Sequence, residues 1–184
     1  DELIGVRLTN GSDEIMLVTR EGMSIRFPET DLRSMGRDTV GVWGIELAGE
    51  GDAVVGVEIP RPGATLLVMS EKGYGKRTEF AEYRFQSRGG KGVITMQTTE
   101  KTGKVVAAHT VDDSDSIMLI STRGQMIRMP VDGIRMTGRN AQGVRLINLE
   151  EGDSLVAAAP IDEEEKDVEV PADIAGTPPV TASP

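Results

Sequence analysis

Cysteine is absent from this 184-residue chain, which removes disulfides and thiolate metal sites at once. A cysteine-free composition suits a reducing compartment, and a cytoplasmic location is the expectation. Aromatic residues are scarce: one Trp, two Tyr and three Phe. Any core must therefore be built from Val, Ile, Leu, Met and Ala. No run of 18 apolar residues occurs, so no membrane-spanning helix and no membrane partner is expected. The opening DELIGVRL is acidic and lacks the basic start of a signal peptide. There is one histidine, His109, and it has no second metal ligand in view. No stretch shows sustained helical spacing with caps.

Basic residues are outnumbered, 20 Lys+Arg against 30 Asp+Glu, for a net charge of −10. The deficit is uneven. From Asp162 onward the chain has seven acids and one base, Lys166, leaving −4 for residues 1–161. The stretch "DEEEKDVEVPADIAGTPPVTASP" has no apolar periodicity and is expected to be an acidic, disordered tail over 162–184. The body is rich in glycine, 22 in all, with 9 prolines, a mixture that favours turns between short strands.

The body is a repeat. Residues 14–42, 65–93 and 116–144 align without gaps at an offset of 51. Each copy opens with an apolar run, Ile15 to Val18, Leu66 to Met69 and Ile117 to Ile120. A turn follows at Gly22, Gly73 and Gly124, then a second strand whose alternation is clearest in Met23, Ile25 and Phe27. A longer loop ends at Gly41, Gly92 and Gly143, and third strands begin at Val42, Val93 and Val144. Fourth strands fall at Val54 to Val57, Val105 to Ala108 and Leu155 to Ala158. Four strands per unit of about 50 residues predict an all-β, propeller-like array in which each small sheet needs a neighbour to cover its apolar face. The expected division is the last strand of a preceding unit over 1–12, units over 13–63, 64–114 and 115–161, and the tail.

Three arginines recur at the same spacing: Arg26, Arg33 and Arg37; Arg77, Arg84 and Arg88; Arg128, Arg135 and Arg139. At matching positions of stacked units they would form an arc. Guanidinium groups fork onto phosphate, so an arc of them suits a curved polyanion. Beside Arg88 stand Gly89, Gly90, Lys91 and Gly92. Glycine permits close backbone approach, and consecutive N–H groups there could form an anion-binding nest. Such contacts read backbone rather than base edges. The competing reading is ion pairing within the array, since Asp31, Glu82 and Asp132 lie near Arg33, Arg84 and Arg135. Nucleotide binding is disfavoured, because Gly73 to Lys76 and Gly89 to Gly92 do not fit G-x-x-x-x-G-K-(S/T). Tyr74 and Tyr83 have no base or metal cluster beside them, and no catalytic constellation is visible.

The segment Gln86-Ser87-Arg88-Gly89-Gly90-Lys91-Gly92 resembles the gyrase-box heptapeptide QRRGG(K/R)G, with Ser87 in place of the first Arg. With its flanks "EKGYGKRTEFAEYRFQSRGGKGV" and "MTGRNAQGVRLINLEEGD", it is similar to the C-terminal domain of the bacterial DNA gyrase A subunit over residues 1–161. The resemblance implies a β-pinwheel of four-stranded blades that exchange a strand between neighbours. It implies double-stranded DNA wrapped on a basic rim in support of negative supercoiling, with the rest of the gyrase A subunit and the B subunit as partners. It places ATP and Mg chemistry and the cleaving tyrosine elsewhere in the holoenzyme, so no cofactor and no catalytic residue is expected here, and a monomer is expected. The topoisomerase IV A subunit has a similar domain with degraded boxes; the single departure in Gln86 to Gly92 favours gyrase. A propeller that binds protein partners is the alternative of another class.

Overall fold

In the computed structural model, residues 2–161 are described; the tail expected over 162–184 lies outside them. The described residues form eleven strands in three sheets and no α-helix. The first sheet holds β1 (Glu14–Thr19), β2 (Met23–Pro28), β3 (Val54–Glu58) and β6 (Val93–Ile94), in the order β3-β1-β2-β6. The second holds β4 (Thr65–Ser70), β5 (Tyr74–Glu79), β7 (Val105–Val111) and β10 (Val144–Arg145), in the order β7-β4-β5-β10. The third holds β8 (Ser116–Ser121), β9 (Met126–Pro130) and β11 (Leu155–Ile161), in the order β11-β8-β9. All ladders are antiparallel.

Each unit starts from a tight hairpin. Between β1 and β2, Gly22 takes φ +81° and donates its N–H to the Thr19 carbonyl at 3.0 Å. That left-handed position closes a short loop that other residues enter only at a cost. The same hairpin recurs at Gly73. The third strands do not stay at home. β6 pairs with β2 of the unit before it, Met23 opposite Ile94, and β10 pairs with β5, Tyr74 opposite Arg145. Neighbouring units are thus joined by a shared sheet as well as by packing.

Strand alternation divides β4 between two cores. Leu66 and Val68 face Met16 and Val18 of the first unit, together with Tyr83, Met96 and Val105. Leu67 and Met69 face Ile117, Leu119, Ile134 and Ile147 of the third. Covered on both sides, every residue of β4 is buried. Each of its large aliphatic side chains contributes about 1.5–3 kcal/mol by leaving water.

Two expectations need correction. The stretch 1–12, expected to be the last strand of a preceding unit, carries no strand over its described residues 2–12. Val42 does not open a third strand either. A strand exists only through its ladder, and neither segment forms one among the described residues; Leu3, Val6 and Leu8 stand exposed.

One further contact series follows the period of 51. Arg7, Glu58 and His109 occupy the same repeat position and touch in succession. The Arg7 guanidinium donates to Glu58 Oε1 at 2.8 Å, and His109 Nδ1 lies 3.6 Å from the same oxygen. His109 Nε2 then donates to the Ala158 carbonyl of β11 at 2.9 Å. Glu58 also accepts the Thr110 N–H at 2.8 Å. Burial opposes its ionised form, but the His109 ring, the Thr110 N–H and Arg7 outweigh burial and its pKa is lowered. A carboxylate lowered by folding adds stability above its unfolded pKa, and that stability is lost as pH falls through the folded value. Thermal unfolding followed from pH 6 to pH 3 should therefore lose stability on acidification, and Glu58→Gln should flatten that dependence. An unchanged profile would remove Glu58 from the inter-unit contact energy.

Candidate nucleic-acid interface

The three recurring arginines of each unit have three different surroundings. Arg26 on β2 and Arg77 on β5, expected on a phosphate-facing rim, are both engaged within the protein. The Arg26 guanidinium pairs with Glu14 and donates to the Phe80 carbonyl at 2.6 Å and the Tyr83 carbonyl at 3.2 Å. It also lies 4.6 Å from the centre of the Phe85 ring. Arg77 is buried; its Nε donates to the Ile134 carbonyl at 2.9 Å and its guanidinium pairs with Asp113. Tyr83 and Ile134 are themselves 51 residues apart, so one bond is made twice. Strand exchange draws the next unit's loop across β2 and β5, and that loop's carbonyls need donors. Arg26 and Arg77 are those donors. Arg128 on β9 donates to Ser116 Oγ at 3.1 Å.

Arg33, Arg84 and Arg135 behave otherwise. All three are exposed. None forms an ion pair among the described residues, so the pairing with Asp31, Glu82 and Asp132 is not made. Glu82 Oε2 instead accepts the Arg139 N–H at 3.0 Å. Arg37 is also exposed. Arg88 and Arg139 are intermediate: each reaches back to the preceding unit. Arg88 donates to the Asp31 carbonyl at 3.0 Å and the Trp43 carbonyl at 3.3 Å. Arg139 donates to the Ile94 carbonyl, one period on from Trp43, at 2.8 Å. A guanidinium has five N–H donors, so most of each fork remains unused.

The glycines of the box have a role the residue types alone did not disclose. Gly89 at φ +79° donates its N–H to the Gly44 carbonyl at 2.7 Å. The Gly90 carbonyl accepts the Glu46 N–H at 2.9 Å. Gly92 at φ +75° lies so close to the Ser24 carbonyl that any Cβ would overlap it, and Gly143 lies likewise on the Gly75 carbonyl. These residues seat the exchanged strand. An anion nest needs consecutive free N–H groups, and that of Gly89 is engaged. Lys91 is exposed and stands 3.9 Å from the exposed Glu46, a weak pair in solvent.

Lys76 was missed. It is fully buried, at the position occupied by Ile25 and Ile127 in the sister units, and that mismatch was the available signal. The two tyrosines are engaged structurally: Tyr83 OH shares a 2.6 Å hydrogen bond with Thr95 Oγ1, and Tyr74 OH accepts from Arg145 at 2.9 Å. Among the described residues no cluster of His, Asp or Glu could hold a metal ion, and no helix is long and apolar enough to cross a membrane.

Comparison with known proteins fits this architecture. The profile of the family described as "DNA gyrase C-terminal domain, beta-propeller" matches residues 13–61, 64–112 and 115–162. The DNA gyrase A subunit of Escherichia coli K12 is 49% identical over 171 residues, which cover 91% of this chain and 19% of that protein. Its counterpart from Deinococcus deserti is 46% identical over 90% of this chain and 21% of its own length. The chain thus spans about a fifth of these relatives. A solved DNA gyrase A C-terminal domain superposes with a TM-score of 0.76 at 31% identity, covering 82% of this chain and 51% of that one. The C-terminal domain of a DNA topoisomerase IV superposes with a TM-score of 0.81 at 25% identity, covering 87% and 50%. Three profile matches in tandem, joined by exchanged strands, place this chain in the DNA gyrase C-terminal domain, beta-propeller family.

Proposed function

We propose that this chain binds double-stranded DNA along its arginine-bearing edge and bends it, as part of a DNA gyrase A subunit. The observation that carries the reading is the exposure of Arg33, Arg84 and Arg135, one per unit, without a carboxylate partner among the described residues. Arg37, Arg88 and Arg139 extend the row with partly or wholly unused forks. A row of guanidinium groups along a curved array favours a bent phosphate backbone and does not select base sequence. In this reading the bend presents DNA to strand passage carried out elsewhere in the holoenzyme, with ATP and Mg acting there.

Salt titration tests it. Six arginines meeting phosphates give a slope of log K against log[salt] of about −5. A slope near zero would leave the propeller as a protein-binding module. A topoisomerase IV origin is the second reading, favoured by the superposition on that enzyme's C-terminal domain. The higher identity to gyrase relatives weighs against it. Supercoiling with the chain returned to an otherwise complete gyrase separates the two.

A further inference from the structure

Lys76 lies on β5 beneath the loop that leads into β10, with no exposed surface. Its Nζ donates to the Gly138 and Arg139 carbonyls, each at 2.7 Å, and to Thr78 Oγ1 at 3.2 Å. An ammonium has three N–H donors, and all three are engaged. No carboxylate pairs with it among the described residues. The sister loop, at the junction between the first and second units, is glycine-rich and lies over an apolar side chain: the Cβ that Gly90 lacks would stand 3.8 Å from Ile25. At the junction between the second and third units the loop reads Gly138-Arg139-Asn140-Ala141-Gln142-Gly143, and Lys76 replaces the isoleucine. The carbonyls of two successive residues there turn inward onto one buried cation, and the second belongs to Arg139.

We infer that Lys76 is a positioning residue for Arg139, an ammonium sealed between two units that holds the rim loop of the third unit in its DNA-facing shape. The arrangement depends on charge. A neutral amine has two N–H donors for three acceptors, so one acceptor in a dry site loses its partner. Burial lowers the Lys76 pKa to about 8; Glu82 opposes the shift and the Arg139 guanidinium adds to it. Tyr83, the other titratable group packed here, is pushed up by burial and is neutral in that range. Two consequences run in opposite directions. The loop loosens as pH rises through 8. Global stability rises over the same interval, because the unfolded chain, with an ordinary lysine pKa near 10.4, binds more protons than the folded one between those values.

The test uses the whole chain, Lys76→Met, and Lys76→Ile, the residue both sister units carry. Amide exchange protection of residues 138–143 is measured at pH 7 and pH 9.5, with affinity for a duplex at fixed salt. In the parent, protection should fall about three- to tenfold between the two pH values, the worth of one hydrogen bond. Affinity should fall in step, and both variants should show the parent's pH 9.5 behaviour at either pH. Equal protection in parent and variants at both pH values would overturn the clamp. A loop that responds while affinity does not would overturn the positioning of Arg139. The second readout rests on the DNA-binding reading. A chain that binds no duplex at either pH overturns that reading and the positioning role with it, and the exchange result shows whether the clamp itself survives.

Discussion

Replacing Gly92 by alanine should cost about 2–5 kcal/mol of folding stability, whereas the same change at Gly41 should cost about 1–2 kcal/mol. The two glycines hold one motif position and similar left-handed angles, φ +75° and +91°. Both pay the backbone strain of a Cβ there, about 1–2 kcal/mol. They differ in what the Cβ meets. At Gly92 it overlaps the Ser24 carbonyl of the preceding unit; at Gly41 it meets nothing within 4 Å. Overpacking against backbone adds about 1–3 kcal/mol, since the carbonyl belongs to the β2–β6 ladder and cannot turn aside. Denaturant unfolding of the two variants measures the difference. Equal losses would mean that strand exchange does not depend on close approach at the box.

Arg77→Ala and Arg84→Ala should separate two kinds of recurring arginine. Arg77→Ala should lower stability by about 1–3 kcal/mol, because it strips the buried Ile134 carbonyl of its donor, while the exposed Asp113 carboxylate is rehydrated. Arg84 is exposed and forms no ion pair among the described residues. Its loss should change stability by no more than about 0.5 kcal/mol. On the DNA-binding reading, Arg84→Ala should instead weaken binding to all duplexes alike and make the salt slope shallower by about 0.9. Thermal unfolding and salt-dependent binding on the same two proteins decide the matter. A stable Arg77→Ala protein with a changed slope would return Arg77 to the rim.

Much of this was legible in the residues. An apolar run followed by glycine and an alternating stretch is a hairpin wherever it occurs, and its recurrence every 51 residues announces units that cover one another. The recurrence of arginine was equally plain. Its meaning was not, because a repeat aligns structural and functional residues alike: Arg26 and Arg77 recur to cap carbonyls, Arg33, Arg84 and Arg135 recur in solvent. The glycines of the box were open to a similar misreading, since a nest and a close crossing call for the same residue. Lys76 left a trace only as a lysine where its sisters have isoleucine.

The amino-acid order by itself determined the hairpins, the turns, the period and the all-β class, because these follow from side-chain alternation and backbone freedom within a few residues. Only the tertiary structure decided which cations face outward. β6 and β10 pair with the unit before their own, and that crossing brings one unit's carbonyls over another's arginines and lysine. A side chain's availability to a phosphate depends on what the neighbouring unit leaves unsatisfied, and no single unit's sequence contains that information.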